Sequence, residues 1–122
     1  MTIALVFLLL AATLGGYLSI GYLRGTPPPA AGWMLGLVHG VVGAAGLLEL
    51  VIGLDRHPPP ASAGVAGFGV GAEALLGLAI LLGLLVIMAA WRGKRLSGVV
   101  IGAHASVAIT AIALVSAIVA LG

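Results

Sequence analysis

Four long apolar stretches, Ile3–Leu23, Gly32–Leu54, 65–90 and 96–121, take up nearly the whole of this 122-residue sequence. A membrane helix needs about 20 mostly apolar residues, and each stretch is long enough. The chain is 62% apolar and 7% charged, with a mean hydropathy of +1.33. A soluble domain carries about 25% charged residues to meet water, so these figures exclude an ordinary soluble fold. The stretches show no period-two alternation, and strands in lipid would have to close into a barrel to satisfy their backbone. The expected fold is therefore all-α and integral to a membrane: one up-down four-helix transmembrane bundle over residues 1–122. The absence of cysteine excludes disulfides and thiolate metal sites.

The breaks between stretches are short and polar: Arg24-Gly25-Thr26-Pro27-Pro28-Pro29, Asp55-Arg56-His57-Pro58-Pro59-Pro60 and Trp91-Arg92-Gly93-Lys94-Arg95. Triple proline cannot continue a helix, and none of the breaks has room for a soluble domain. The first and third lie on one face and hold Arg24, Arg92, Lys94 and Arg95; the opposite face has Arg56, offset by Asp55. Positive charge favours the cytoplasmic side, so loops 24–31 and 91–95 are expected there and both termini outside, as in a bacterial inner membrane. Trp33 and Trp91 fall on the basic side as interfacial anchors. The first stretch lacks the basic segment of a secretory signal and is expected to be a retained helix. The 20 glycines suit close approach of membrane helices, against neighbouring subunits or other copies of the chain as well as within it.

Ionisable groups at membrane depth are costly and mark functional sites by default; here they are His39, Glu49, Glu73 and His104. His39 follows Gly32 by seven residues, and His104 follows Ser97 by seven. Both stretches start from the basic face, so at 1.5 Å per residue each imidazole lies roughly 10 Å inside its helix start. In an up-down bundle the second and fourth helices face each other diagonally. Two neutral imidazoles at one depth can then ligate a haem iron from both sides. Gly36, Gly43 and Gly46 share the helical face of His39, with Gly40 adjacent, and would clear surface for a macrocycle. Ile101, Val107, Ala108 and Ala111 surround His104, and Gly15, Gly16, Gly77 and Gly83 come from the intervening helices. The plainer expectation is that each histidine only hydrogen-bonds a neighbouring helix, with Ser97, Ser106 or Thr110 as partner.

This layout resembles that of the membrane b-type cytochromes, in which parallel helices of a four-helix bundle each give a histidine to a haem b. The resemblance implies His39 and His104 as axial ligands and electron transfer between a quinone and a partner subunit. Two-haem members have a further histidine about 13 residues along each ligand helix, where this chain has Ile52 and Ala117, so one haem b is implied. His57 has no partner histidine and stays outside the ligand set.

Glu49 and Glu73 are expected in the opposite leaflet, near a shared depth, where carboxylates can relay protons or hydrogen-bond a quinone head group. The run Gly71-Ala72-Glu73-Ala74-Leu75-Leu76-Gly77-Leu78-Ala79-Ile80-Leu81-Leu82 resembles the glutamate helix of the K-type small membrane subunit of respiratory complex I. Leu47-Leu48-Glu49-Leu50 is loosely similar to the preceding glutamate helix. That likeness implies a haem-free accessory or proton-conducting subunit of a respiratory or photosynthetic complex. Neither a nucleotide-binding loop nor a zinc-protease or nucleophile-elbow motif occurs. Arg92, Lys94 and Arg95 suit anionic lipid rather than nucleic acid.

Overall fold

The computed structural model describes residues 1–25, 32–58, 66–94 and 97–121. Four helices make up this part of the chain: α1 (Thr2–Leu23), α2 (Gly32–Arg56), α3 (Ala66–Trp91) and α4 (Gly98–Leu121). Their ends fall within two residues of the apolar stretches. All four are long and apolar enough to cross a membrane. Thr26, Pro27, Pro28, Pro29, Pro59, Pro60 and Arg95 lie outside the described residues.

The helix ends follow from the residues placed there. α1 and α3 each finish at an Arg-Gly pair, and Gly25 and Gly93 have left-handed φ values of +66° and +65°. A residue without Cβ takes that conformation at little cost and turns the chain off the helix axis. After α3, the Lys94 N–H donates to the Ala89 carbonyl at 2.9 Å and the Gly93 N–H to that of Ala90 at 3.0 Å, closing a Schellman cap.

Close approaches fix the order of helices. Met1 lies against Gly53, Leu8 against Gly46 and Ala11 against Gly43, so α1 and α2 are antiparallel. Leu114 lies against Gly71 and His104 against Gly83, which makes α3 and α4 antiparallel too. Each hairpin packs extensively within itself; α2 with α3 and α1 with α4 make thinner contacts that close the ring. α2 and α4 are therefore diagonal, in an up-down four-helix bundle.

Small residues let these helices meet closely. A Cβ on Gly46 would lie 2.8 Å from Leu8 Cδ2, and one on Gly69 would lie 2.9 Å from Leu54 Cδ2. Ala4, Ala72 and Ala111 are fully buried beside Leu8, Leu50, Leu76 and Val115. This core occupies the half of the bundle that holds the N-terminal turns of α1 and α3. The outer surface is as apolar as the interior, with Leu9, Leu10, Val41, Leu81 and Ile109 all exposed; a helix that is apolar all round suits surroundings that are apolar too. Thr13, Thr110 and Ser116 turn their hydroxyls back onto the carbonyls of Leu9, Ser106 and Ile112 at 2.8–2.9 Å, satisfying their donors within their own helices. Trp33 and Trp91 are exposed at the other end, beside Arg24, Arg92 and Lys94.

Leu50 is wholly buried, whereas Leu48 is 60% exposed. Leu50→Ala is expected to lose about 2 kcal/mol or more through a cavity that the rigid helices cannot fill. Leu48→Ala should change little in the same thermal unfolding series in detergent micelles.

Candidate histidine site

The sequence places His39 on α2 and His104 on α4, and the fold turns both rings inward across the bundle diagonal. Their ring centroids are 5.9 Å apart and their planes are inclined at 76°. Both residues are part-buried. Side chains 65 positions apart in the chain thus meet as closely as neighbours on one helix.

Each ring is held by the other helix of its own hairpin. His39 Nδ1 lies 2.8 Å from the carbonyl oxygen of Ala11 on α1, and His104 Nδ1 lies 2.8 Å from that of Ala79 on α3. A carbonyl can only accept, so in both rings the proton sits on Nδ1. A neutral imidazole with its proton there keeps the lone pair on Nε2, the form in which it binds a metal. Neither Nε2 is sealed in the interior without a partner. Ser97, Ser106 and Thr110 do not hold the rings; the Thr110 hydroxyl is committed to Ser106.

The glycines named from sequence separate into different roles. Gly15 faces the His39 ring and Gly83 the His104 ring. Gly46 makes room for Leu8, and a Cβ on Gly43 would stand 3.8 Å from that of Ala11, so both serve the packing of α1 on α2. A Cβ at Gly16, Gly36, Gly40 or Gly77 would meet no atom within 4 Å, so these four leave open surface.

Glu49 and Glu73 lie in the other half of the bundle. Leu54 of α2 contacts Gly69 of α3, and counting inward from that contact along antiparallel helices brings the two carboxylates to within about one residue of the same level. Both are half-buried, and neither makes a hydrogen bond or ion pair among the described residues. His57 is exposed just after α2, where its backbone N–H bonds the Gly53 carbonyl at 3.0 Å. Among the described residues no group of three or more His, Asp or Glu side chains could share a metal ion.

Ala11 and Ala79 carry no mark in the sequence, because every residue has a carbonyl. The one signal is that Ala-x-x-x-Gly recurs on the odd helices, as Ala11 to Gly15 and Ala79 to Gly83. The chain matches no protein-family model, no curated protein and no solved structure.

Polar pairs between membrane helices contribute about 0.6 kcal/mol each on average. His39→Phe and His104→Phe, prepared without any cofactor, are each expected to lose about that much on unfolding in micelles. A loss of several kcal/mol from either would show that the ring does more than bond one carbonyl.

Proposed function

We propose that this chain is an integral membrane subunit that binds one haem b through His39 and His104 and passes electrons between a quinone and a partner subunit. The supporting observation is the diagonal histidine pair itself. With their ring centroids 5.9 Å apart, the two imidazoles would be the residues to hold one iron between them. Each Nδ1 is already engaged by a carbonyl, leaving Nε2 as the donor atom, and a hydrogen bond on the far nitrogen orients a ligand imidazole and raises its basicity. The donor set of two neutral nitrogens fits haem iron and falls short of the three or four protein ligands that zinc prefers.

A bound haem supplies one-electron chemistry; the rest is the work of this chain. His39 and His104 would hold the group from two diagonal helices without adding charge to an apolar interior. Gly36 and Gly40 leave open surface on the helix that carries His39. The apolar helices keep water away, so charge at the site is felt strongly. With Arg24, Arg92 and Lys94 at the histidine end, that end faces the cytoplasm and both termini lie outside, in a bacterial inner membrane. The breaks between helices are short in sequence, so electrons would pass to a docked subunit.

A second reading is favoured by the level shared by Glu49 and Glu73 on neighbouring helices: a haem-free accessory or proton-conducting subunit in which these carboxylates act. The two readings give different results. The cytochrome reading expects a Soret band that shifts on dithionite reduction and is lost in His39→Ala and in His104→Ala. A colourless, folded preparation from haem-replete cells rejects it. The proton reading expects Glu49→Gln and Glu73→Gln to alter pH-dependent transport in vesicles, and unchanged transport rejects that role.

A further inference from the structure

The two histidine sites are copies of one another. From Ala11 to Ala79 is a step of 68 positions, and the same step carries Ala4 to Ala72, Leu8 to Leu76, Gly15 to Gly83 and Arg24-Gly25 to Arg92-Gly93. The fold gives the paired residues matching surroundings. Ala4 and Ala72 are both wholly buried, and Leu8 and Leu76 both lie in the core. Gly25 and Gly93 turn the chain at the same left-handed φ. On the even helices the step is 65, from His39 to His104 and from Leu50 to Val115, the two largest wholly buried side chains. Because α1 and α3 run the same way, the α1–α2 and α3–α4 hairpins are related by a pseudo-two-fold axis along the bundle.

We infer that the chain is a tandem of two equivalent hairpins, each a complete cradle for one imidazole, and that Gly15 and Gly83 are the positioning residues that set where each ring sits. The reason lies in how a helix covers its own carbonyls. A helical side chain leans over the turn N-terminal to its own Cα, so the residue at i+4 shields the carbonyl of residue i from the outside. That carbonyl already accepts the backbone N–H of residue i+4, and its second lone pair is free for another donor. With glycine at i+4 the shield is gone. Gly15 uncovers the Ala11 carbonyl and Gly83 that of Ala79, and into each opening one histidine delivers its Nδ1–H.

The clearances support this assignment. A Cβ on Gly15 would stand 2.8 Å from Cε1 of His39, 3.3 Å from Nδ1 and 3.5 Å from Nε2. One on Gly83 would stand 3.4 Å from Cε1 of His104 and 3.8 Å from Nδ1. The first contact is too short for the ring to remain where it is; the second lies at the near edge of ordinary van der Waals contact, so only a side chain larger than a methyl group would press on that ring. The next residue, Gly16, has nothing within 4 Å of its Cβ position, so helix propensity and cradle geometry can be told apart at adjacent sites. The cradles stand independently of the haem reading; their consequence for iron ligation rests on it.

The test uses the full chain in micelles with 15N-labelled histidine, prepared without haem, in a His57→Asn background so that two rings report. Long-range proton–nitrogen spectra distinguish the Nδ1–H from the Nε2–H form. Both rings of the parent should show Nδ1–H. Gly15→Ala should abolish that signature for His39 while His104 keeps it. Gly83→Ala should leave His104 nearly unmoved, and the larger Gly83→Val should abolish the signature for His104 alone. Gly16→Ala should leave both rings as they are. An unchanged His39 in folded Gly15→Ala, or equal disturbance from Gly16→Ala, overturns the assignment. Should Gly15→Ala fail to fold, Gly83→Val decides: loss of the Nδ1–H signature confined to His104 upholds the cradle, and an unmoved His104 overturns it. These ring responses, together with no Soret band in a separate preparation from haem-replete cells, remove the haem while keeping the cradles, and a Soret band there without the responses does the reverse.

Discussion

An uncharged imidazole among apolar helices has one N–H that must find an acceptor, because the surroundings offer no water to take it. Here the acceptor is a backbone carbonyl on the adjacent helix, and the other features of the site follow from that choice. The carbonyl has to be bare, which calls for a glycine one turn further along. The helices have to approach closely, which calls for the small residues that line both hairpins. The bond fixes which nitrogen carries the proton, and so which nitrogen is left for a ligand. Because each bond stays within a hairpin, each ring is oriented by its own hairpin.

The architecture was legible because it depends on transfer of apolar surface, a property summed over many residues. Four apolar runs broken by Arg-Gly, Asp-Arg and proline clusters place helix boundaries to within two residues. The matched depth of His39 and His104 was readable for the same reason: a helix rises by a fixed amount per residue. Contact between one residue and another was harder to read. Gly46 and Gly43 share the helical face of His39, yet they accommodate Leu8 and Ala11, since facing depends on how α1 rotates about its own axis. The hydroxyls of Ser106 and Thr110 were plausible histidine partners by proximity, but a hydroxyl in a helix has a carbonyl of its own within reach. The acceptors that do hold the rings belong to alanines, whose side chains say nothing about their carbonyls.

The bundle is also divided along its length. In the half holding the N-terminal turns of α1 and α3, Leu8, Leu50, Leu76 and Val115 pack around alanines. In the other half the histidines face each other, and Gly16, Gly36 and Gly40 leave surface uncovered. One half holds the buried core and the other holds the paired imidazoles. Glu49 and Glu73 sit in the packed half, one residue from Leu50 and Ala72 respectively, so any proton route through them would be separate from the imidazoles.

The thin seam between the hairpins has a mechanical consequence. Each hairpin is broadly packed inside and meets its twin over much less surface, and one imidazole projects from each side of that seam. Anything that grips both rings is therefore a staple as well as a ligand: it adds its binding free energy to the weakest joint in the molecule. Removing it would leave two stiff leaves joined by a short connecting loop, able to part where the rings had been clasped.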